Sequence, residues 1–213
     1  MENIETRFAD KYNVSRETFL QLSDYIELLQ KWQQKINLIS NATTNDIWFR
    51  HIEDSLQLLN YVPRETLQII DLGSGGGLPA IPLAITTKKP VFMVESDKRK
   101  CAFLEEAIRI TELNLCKSFQ SRVENAKLPL TTSHGIIITA RALAETTDLF
   151  RIIKLLILNN NISECRILLP KGKDAASEVE RAKLEWEFEF TTHQSITDQA
   201  ATILEIKNLR EKL

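Results

Sequence analysis

The fold is decided by one stretch, Ile69-Ile70-Asp71-Leu72-Gly73-Ser74-Gly75-Gly76-Gly77-Leu78-Pro79-Ala80, in which an apolar run meets an acid and then a glycine-dense turn. Four of the six glycines in the chain lie in this stretch. Glycine adopts positive φ without steric cost and lets a ligand approach the backbone closely. Because a β-branched run precedes the turn and an apolar segment follows it, we predict a strand, a ligand-binding turn and a helix rather than a flexible linker.

Short apolar runs alternate with helical patterns after residue 62, which predicts a parallel sheet with helices on both faces. The predicted strands are residues 66–71, 91–95, 116–120, 135–139, 166–169, 186–191 and 201–206. The last two are expected to form an antiparallel pair at the sheet edge. The pattern therefore predicts a Rossmann-like α/β fold with a mostly parallel, seven-stranded sheet and an antiparallel edge strand.

Residues 1–62 are predicted to form an N-terminal helical extension, and residues 63–213 the α/β domain. Apolar residues recur at spacings of three and four between residues 19 and 36, and Ser15 stands where an N-cap is expected. A second helix is predicted to begin at residue 45 or 46 and to continue past residue 59.

Four polar residues of this second helix are expected on one face, Arg50, His51, Asp54 and Ser55. We reject a Ser-His-Asp nucleophile here, because such machinery normally converges from separate elements. Two interpretations stay open. The face docks on the next domain through buried hydrogen bonds, or it contacts the substrate.

Composition excludes several classes of protein. The 213 residues are 43% apolar, which suits one domain with an appendage, and the net charge of −2 excludes a polycation but allows a local basic face. Three cysteines without close pairs favour reduced thiols over a disulfide framework or a four-cysteine zinc site. With no metal-binding spacing, signal peptide or membrane span in the sequence, we expect a cytoplasmic protein with no membrane association and no bound metal.

Ligands of such sheets bind at the carboxyl ends of the strands. Asp71 ends the first predicted strand, and Glu95 ends the second, about 20 residues beyond the first glycine, where an acid commonly holds a ribose diol. The spacing indicates a cofactor that contains adenosine.

Two phosphate-binding motifs compare poorly with this turn. A P-loop requires Gly-Lys-Ser/Thr, but Gly77 is followed by Leu78. The nicotinamide fingerprint fails when it is counted from Gly73, although Gly75, Gly77 and Ala80 satisfy it when it is shifted by two residues. A dinucleotide cofactor therefore survives as the alternative.

The residues around the turn favour S-adenosylmethionine over a dinucleotide. Asp71 would repel a pyrophosphate but attract the ammonium and sulfonium groups of S-adenosylmethionine. Pro79 removes an N–H donor from the opening turn of the helix, where a phosphate would need one. Methyl transfer is the predicted reaction, and hydride transfer by an NAD(P)-dependent oxidoreductase is the alternative.

Several segments resemble, in order, the motifs of the RsmG (GidB) family, bacterial methyltransferases that act on guanine N7 in small-subunit (16S) ribosomal RNA. The glycine motif with its double proline, residues 73–85, is the most specific of them. The other segments are Trp32 through Asn37-Leu38, Arg50-His51-Ile52-Glu53-Asp54-Ser55-Leu56, Glu95-Ser96, Arg99-Lys100, Phe103-Leu104, Arg122-Val123-Glu124, Ala140-Arg141-Ala142 and Pro170-Lys171-Gly172. The resemblance covers about residues 20–206 and departs from the family pattern at Gln33, Ala80 and Glu95.

The resemblance implies a class I methyltransferase fold and cofactor contacts at five positions, Gly73, Leu78, Val123, Glu124 and Arg141. Reasoning from the residues adds Asp71, Gly75 and Glu95 to the cofactor site. For the substrate we predict contacts at Arg50, His51, Ser55, Arg141 and Lys171.

Guanine N7 already carries a lone pair, so its methylation requires alignment rather than proton removal, and we predict no catalytic base. The expected partner is small-subunit ribosomal RNA, as free RNA or as a ribonucleoprotein particle, and the protein is expected to be a monomer. A third possibility is a ribosome-associated protein that binds the cofactor without turnover.

Overall fold

The computed structural model describes residues 4–212, which contain one seven-stranded sheet. Its strands are β1 (Gln68–Leu72), β2 (Val91–Glu95), β3 (Lys117–Gln120), β4 (Ile136–Ala140), β5 (Cys165–Lys171), β6 (Trp186–Gln194) and β7 (Thr202–Glu211). The spatial order is β3-β2-β1-β4-β5-β7-β6. Strands β1 to β5 are parallel, which confirms the Rossmann-like prediction.

The two C-terminal strands form the predicted antiparallel pair. Strand β7 lies between β5 and β6 and runs antiparallel to both, so β6 is the edge strand. Both strands are longer than the predicted ranges 186–191 and 201–206. Much of their added length is exposed, and exposed residues carry no apolar pattern from which a strand can be predicted.

The described residues 4–212 also form seven α-helices, namely α1 (Ile4–Tyr12), α2 (Arg16–Gln33), α3 (Asp54–Leu56), α4 (Ala80–Thr87), α5 (Lys98–Ile110), α6 (Thr146–Asn159) and α7 (Ala175–Ala182). The predicted N-cap of α2 is confirmed, because Ser15 Oγ accepts a hydrogen bond from the Thr18 amide at 3.1 Å. None of the helices within residues 4–212 combines the length and apolar character that crossing a membrane requires.

Strand β1 lies at the centre of the sheet and is buried along its whole length. Ile69 belongs to the hydrophobic cluster that α2 and α4 form on one face, whereas Ile70 and Leu72 belong to the cluster that α6 and α7 form on the other. Burial of each such side chain contributes about 1.5–3 kcal/mol.

The boundary predicted at residue 62 stays a prediction, since α1 and α2 share their hydrophobic cluster with α4 and β1.

The segment 41–61 is helical, as predicted, but it begins at Asn41 rather than at residue 45 or 46 and is not a regular α-helix. It consists of a 3₁₀ turn (Asn41–Asp46), a π-helical turn (Trp48–Glu53), the short α3 and a second 3₁₀ turn (Gln57–Tyr61). Glu53 is buried and pairs with two basic residues of α1, while the next residue, Asp54, pairs with Arg141 from the sheet. The backbone is thus irregular where two neighbouring residues, Glu53 and Asp54, form ion pairs with different parts of the protein.

Candidate active site

A cavity of about 690 Å³ opens at the carboxyl ends of β1, β4 and β5. It is lined by the loop 37–40, the segment 41–61, the glycine turn, the residues after β4, the end of β5 with the residue after it, and the β6–β7 loop, residues 195–201. Lys100 of α5 and Glu178 of α7 complete the lining. This is the position expected for a ligand in an open α/β sheet.

The glycine turn forms one wall of the cavity through Gly73, Gly75 and Leu78. Gly73 and Gly75 have φ values of +65° and +53°, which side-chain-bearing residues rarely adopt. A Cβ atom at Gly73 would lie 2.5 Å from Leu143 Cδ1. Tyr25 of α2 donates a hydrogen bond to the carbonyl of the neighbouring Gly76. The N-terminal helices therefore support the turn directly.

Asp71 lies at the end of β1, 1% exposed, and does not itself line the cavity. Its Oδ1 accepts a hydrogen bond from Thr139 Oγ1 at 2.6 Å, whereas Oδ2 has no partner among the described residues 4–212. Burial raises the pKa of this carboxyl from 3.8 to about 7. At neutral pH the acid is thus close to its midpoint, and a cation nearby would favour its charged form.

Glu95 braces the glycine turn. Its two carboxylate oxygens accept hydrogen bonds from the amides of Gly75 at 2.9 Å and Asp97 at 2.8 Å. A carboxylate has about four acceptor positions, so capacity remains for a ribose hydroxyl. Glu95 is 7% exposed and does not line the cavity, so its contact with the cofactor stays a prediction.

Val123 and Glu124 belong to a short 3₁₀ turn, Val123–Asn125, that follows β3. They lie at the same edge of the sheet as Glu95, because Glu95 pairs with Gln120 at the end of β3. Neither residue lines the cavity. Val123 and Glu124 therefore lie at the same end of the sheet as Glu95, and their contact with the cofactor stays a prediction.

Arg141 follows β4 and joins the sheet to the segment 41–61. Its Nη1 donates to Asp54 Oδ2 at 3.2 Å, and its Nη2 lies 3.3 Å from His51 Nδ1. Since a guanidinium is only a donor, His51 Nδ1 must be the acceptor, and the imidazole proton is assigned to Nε2. Nε2 in turn lies 2.7 Å from Thr43 Oγ1, whose own proton is directed to the carbonyl of Ser40 at 2.8 Å.

His51 is consequently neutral and has no free lone pair on its ring. It is buried, and this burial, with Arg141 beside it, lowers its pKa from 6.5 to about 4. An imidazole in this state orients neighbouring groups but cannot accept a substrate proton without losing the hydrogen bond from Arg141.

The remaining predicted substrate residues occupy different environments. Arg50 lines the cavity and donates to the Thr197 carbonyl at 3.2 Å. Lys171, at the end of β5, also lines it and pairs with Glu178 Oε2 at 2.8 Å. Ser55 is buried outside the cavity lining and donates to the His51 carbonyl at 2.6 Å. Ser55 therefore supports its own segment, and its contact with substrate stays untested.

Sequence reasoning missed the β6–β7 loop, which forms a wall of the cavity through Thr197, Asp198 and Ala201. Thr197 Oγ1 donates to Asp54 Oδ1 at 2.6 Å, which ties the loop to the segment 41–61. No apolar pattern predicts this contact across more than 140 residues of chain. The available signal is that a polar loop joins two strands at the sheet edge.

Residues 4–212 contain no group of three or more His, Cys, Asp or Glu side chains arranged to hold a metal ion. The cavity instead combines a wall of backbone in glycine conformations with a wall of guanidinium, ammonium and carboxylate groups. Such a site can hold one ligand by shape and close approach, and a second, anionic ligand by charge.

Two solved structures of other proteins superpose on this fold. A methyltransferase of Aquifex aeolicus, described as SAM-dependent, superposes with a TM-score of 0.55 over 85% of this chain and 97% of its own, at 12% identity. The M. jannaschii protein TYW2 in complex with AdoMet gives a TM-score of 0.52 over 84% of this chain and 80% of its own, at 13% identity. At such identities the likeness concerns the fold alone.

Sequence comparison is more specific. Ribosomal RNA small subunit methyltransferase G of Rickettsia akari is 38% identical over 196 residues, 92% of this chain and 97% of the relative. The protein of the same description from Orientia tsutsugamushi is also 38% identical, over 92% of this chain and 93% of its own length. The family model described as rRNA small subunit methyltransferase G matches residues 19–207. The chain therefore belongs to this family of methyltransferases, as its glycine motif indicated.

Proposed function

We propose that the protein transfers a methyl group from S-adenosylmethionine to N7 of a guanosine in small-subunit ribosomal RNA. The observation that carries the proposal is the juxtaposition, in one cavity, of the glycine turn with Arg50, Arg141 and a His51 that has no lone pair to spare. The enzyme class and the cofactor follow from membership of the family, and a nicotinamide oxidoreductase is not favoured.

The residues present suit S-adenosylmethionine, which supplies the methyl group when it is bound. Asp71 puts a buried carboxyl behind the glycine turn, and Coulomb attraction to an ammonium or sulfonium acts without direct contact. Gly73 and Gly75 leave the turn without Cβ atoms where the backbone must approach a ligand. The absence of an N–H at Pro79 disfavours a phosphate at the same place.

The proposed contacts divide between the two sides of the site. Those for the cofactor are Asp71, Gly73, Gly75, Leu78, Glu95, Val123, Glu124 and Arg141. Those for the RNA are Arg50, His51, Ser55, Arg141 and Lys171. Arg141 belongs to both groups because it extends from the end of β4 across to the segment 41–61.

The reaction requires no proton acceptor, since guanine N7 attacks with an existing lone pair. Alignment of the two reactants can contribute about 7–11 kcal/mol at best. The lining supports this account because His51 accepts from Arg141 and Asp54 is paired with the same guanidinium. Both groups hold Arg141 in place rather than moving protons.

Small-subunit RNA is an anionic partner, and the cavity offers Arg50, Lys100, Arg141 and Lys171 for its phosphates. We propose that a monomer acts in the cytoplasm on this RNA, either free or within a ribonucleoprotein particle. Methylation of free RNA, an assembling particle and the mature subunit, compared side by side, would identify the substrate. The molar mass in solution, measured by light scattering, would test the monomeric state.

The decisive experiment incubates the purified protein with labelled S-adenosylmethionine and ribosomal RNA from a strain that lacks the gene. We expect label on a guanosine of the small-subunit RNA, at N7, which chemical cleavage after reduction can locate. Label at another atom, or on large-subunit RNA, would contradict the proposal. Calorimetric titration with S-adenosylmethionine and with NAD separately tests the cofactor.

A salt series tests the RNA side. Because phosphate contacts release counterions, we expect RNA affinity to fall steeply with salt and the salt slope to decrease by about one in Lys171→Ala. An unchanged slope would remove Lys171 from the proposed RNA contacts.

A further inference from the structure

We propose that Arg50 and Asp198 together recognise the Watson–Crick edge of the target guanine, which makes Asp198 a specificity-determining residue. The inference rests on the proposed function and extends it to base selection. Both side chains line the cavity, with their Nη2 and Oδ2 atoms 3.4 Å apart. They remain 39% and 40% exposed, so a ligand can reach both.

An acid at this place calls for an explanation, because a carboxylate repels the phosphates that the neighbouring basic residues attract. Three carboxylates line the cavity within the described part of the chain, those of Asp54, Glu178 and Asp198. Asp54 accepts from Gln57, Thr197 and Arg141, and its side chain is 19% exposed.

Glu178 is similarly engaged. It accepts two hydrogen bonds from Thr146 and one from Lys171, and its side chain is 17% exposed. Asp198 instead accepts one bond from the Ala200 amide at 2.9 Å and the long contact from Arg50. Since a carboxylate has about four acceptor positions, Asp198 keeps two for a ligand.

The donor and acceptor order of the pair matches guanine. Guanine presents an acceptor, O6, beside two donors, the N1–H and the N2 amine. Arg50 supplies donors and Asp198 supplies acceptors side by side. Adenine presents the reverse order, with a donor amine at C6 and an acceptor at N1. The donors of Arg50 would then face the amine, and the acceptors of Asp198 would face N1, so neither hydrogen bond could form. Recognition along this edge leaves N7 free for methylation.

The loop that carries Asp198 is held in place before any ligand binds. Thr197 donates to Asp54, and Gln194 Nε2 donates to the carbonyls of Gln199 at 3.0 Å and Ala201 at 3.1 Å. Asp198 itself receives the Ala200 amide, which closes a local turn. The acceptor oxygens are therefore preorganised, which reduces the entropy lost on binding.

The test compares Asp198→Asn with Asp148→Asn, a matched change of an exposed acid on α6 outside the cavity. Asparagine retains one oxygen for the Ala200 amide, so the loop is preserved while the second acceptor is lost. We expect kcat/KM for unmodified small-subunit RNA to fall about 10- to 100-fold in Asp198→Asn and to stay unchanged in Asp148→Asn. The affinity for S-adenosylmethionine should not change in either variant.

Electrostatics alone predicts the opposite sign, because removal of a negative charge should strengthen RNA binding. A kcat/KM in Asp198→Asn that equals or exceeds that of the wild type would overturn the inference.

Nucleotide binding provides a test that does not depend on methyl transfer. With S-adenosylmethionine bound, wild-type protein should bind GMP more tightly than IMP, which lacks the N2 amine, and IMP more tightly than AMP. Asp198→Asn should abolish the preference for GMP over IMP, because the second acceptor oxygen is lost, while Arg50 still favours the O6 of both over the amine of AMP. If wild type binds GMP and AMP equally, the inference is wrong even where methylation succeeds. If no RNA is methylated but the order holds, the proposed function fails while base recognition by the pair stands.

Discussion

The two sides of the cavity are built in different ways. The glycine turn derives its shape from backbone conformation, with Gly73 and Gly75 at positive φ and Glu95 accepting a turn amide. The opposite side is built from side chains that meet across long stretches of sequence, as Arg141 meets Asp54 and Thr197 meets Asp54. The contrast indicates that the first side is sensitive to added atoms, and the second to the loss of single partners.

The largest effect is expected from an added methyl group in the turn. Gly73→Ala places a Cβ 2.5 Å from Leu143 Cδ1 at a φ of +65°, a conformation that costs an L-residue about 1–2 kcal/mol before any clash. We expect the affinity for S-adenosylmethionine, measured by calorimetry, to fall about 100-fold, which is roughly 3 kcal/mol.

Gly135→Ala is the matched control, because Gly135 has a φ of +64° but precedes β4 at the other end of the sheet. It should lower the free energy of unfolding without changing cofactor affinity. Equal loss of affinity in both variants would show that Gly73 affects cofactor binding only through overall stability, and the glycine turn would then have no specific sensitivity to added atoms.

A smaller effect is expected from the acid behind the turn. Because the folded pKa of Asp71 is raised to about 7, the cofactor-free folded state retains a proton that the unfolded chain loses near pH 3.8. Stability is therefore lost as pH rises from about 4 to 7, by at most about 1.4 kcal/mol per pH unit. Between pH 5 and 8, urea unfolding should show a fall about 2 kcal/mol larger in wild type than in Asp71→Asn.

The same acid should couple cofactor binding to protons. A bound cation lowers the pKa of Asp71, so titration near pH 7 should release protons in wild type and not in Asp71→Asn. Calorimetry in buffers of different ionisation enthalpy measures this release. Identical proton release in the two proteins would mean that the acid does not sense the cofactor.

The opposite wall is tested by a double-mutant cycle between Arg141 and Asp54, whose side chains are 21% and 19% exposed. We expect Arg141→Ala and Asp54→Asn to be non-additive in the free energy of unfolding by about 1 kcal/mol. The pair Arg151 and Asp148, 49% and 62% exposed, is the control and should couple by no more than about 0.5 kcal/mol. Equal coupling energies in the two pairs would mean that burial at the cavity does not strengthen the Arg141–Asp54 ion pair.

The smallest effect concerns His51. Its pKa, lowered to about 4, predicts no ionisation of this residue between pH 6 and 8, so His51→Gln should leave the shape of the pH–rate profile unchanged within about 2-fold. As pH falls from 6.5 towards 4 the unfolded chain binds a proton first, so stability should drop further in wild type than in His51→Gln. A rate step near neutrality that His51→Gln abolished would make His51 a base after all.

Sequence alone was sufficient for the elements whose signals are local. The apolar runs predicted the buried strands β1 and β2, with β2 ending at Glu95 as expected and β1 ending one residue after Asp71, and the N-cap at Ser15 was placed correctly. The motif around the glycines identified the family that the comparisons confirm. The same reasoning predicted a helix in the segment 41–61 but not its π-helical turn, which contacts with α1 and with Arg141 accompany.

The amino-acid sequence by itself determined the parallel sheet, the glycine turn and the kind of ligand it holds, because apolar periodicity and glycine conformation act over a few neighbouring residues. Only the tertiary structure decided which polar groups share the cavity. Arg141 orients His51, Ser55 bonds to its own segment, and Asp198 reaches the cavity from the β6–β7 loop. Apart from the local bond of Ser55, these contacts join residues far apart in the chain, and their geometry depends on packing that no local pattern encodes.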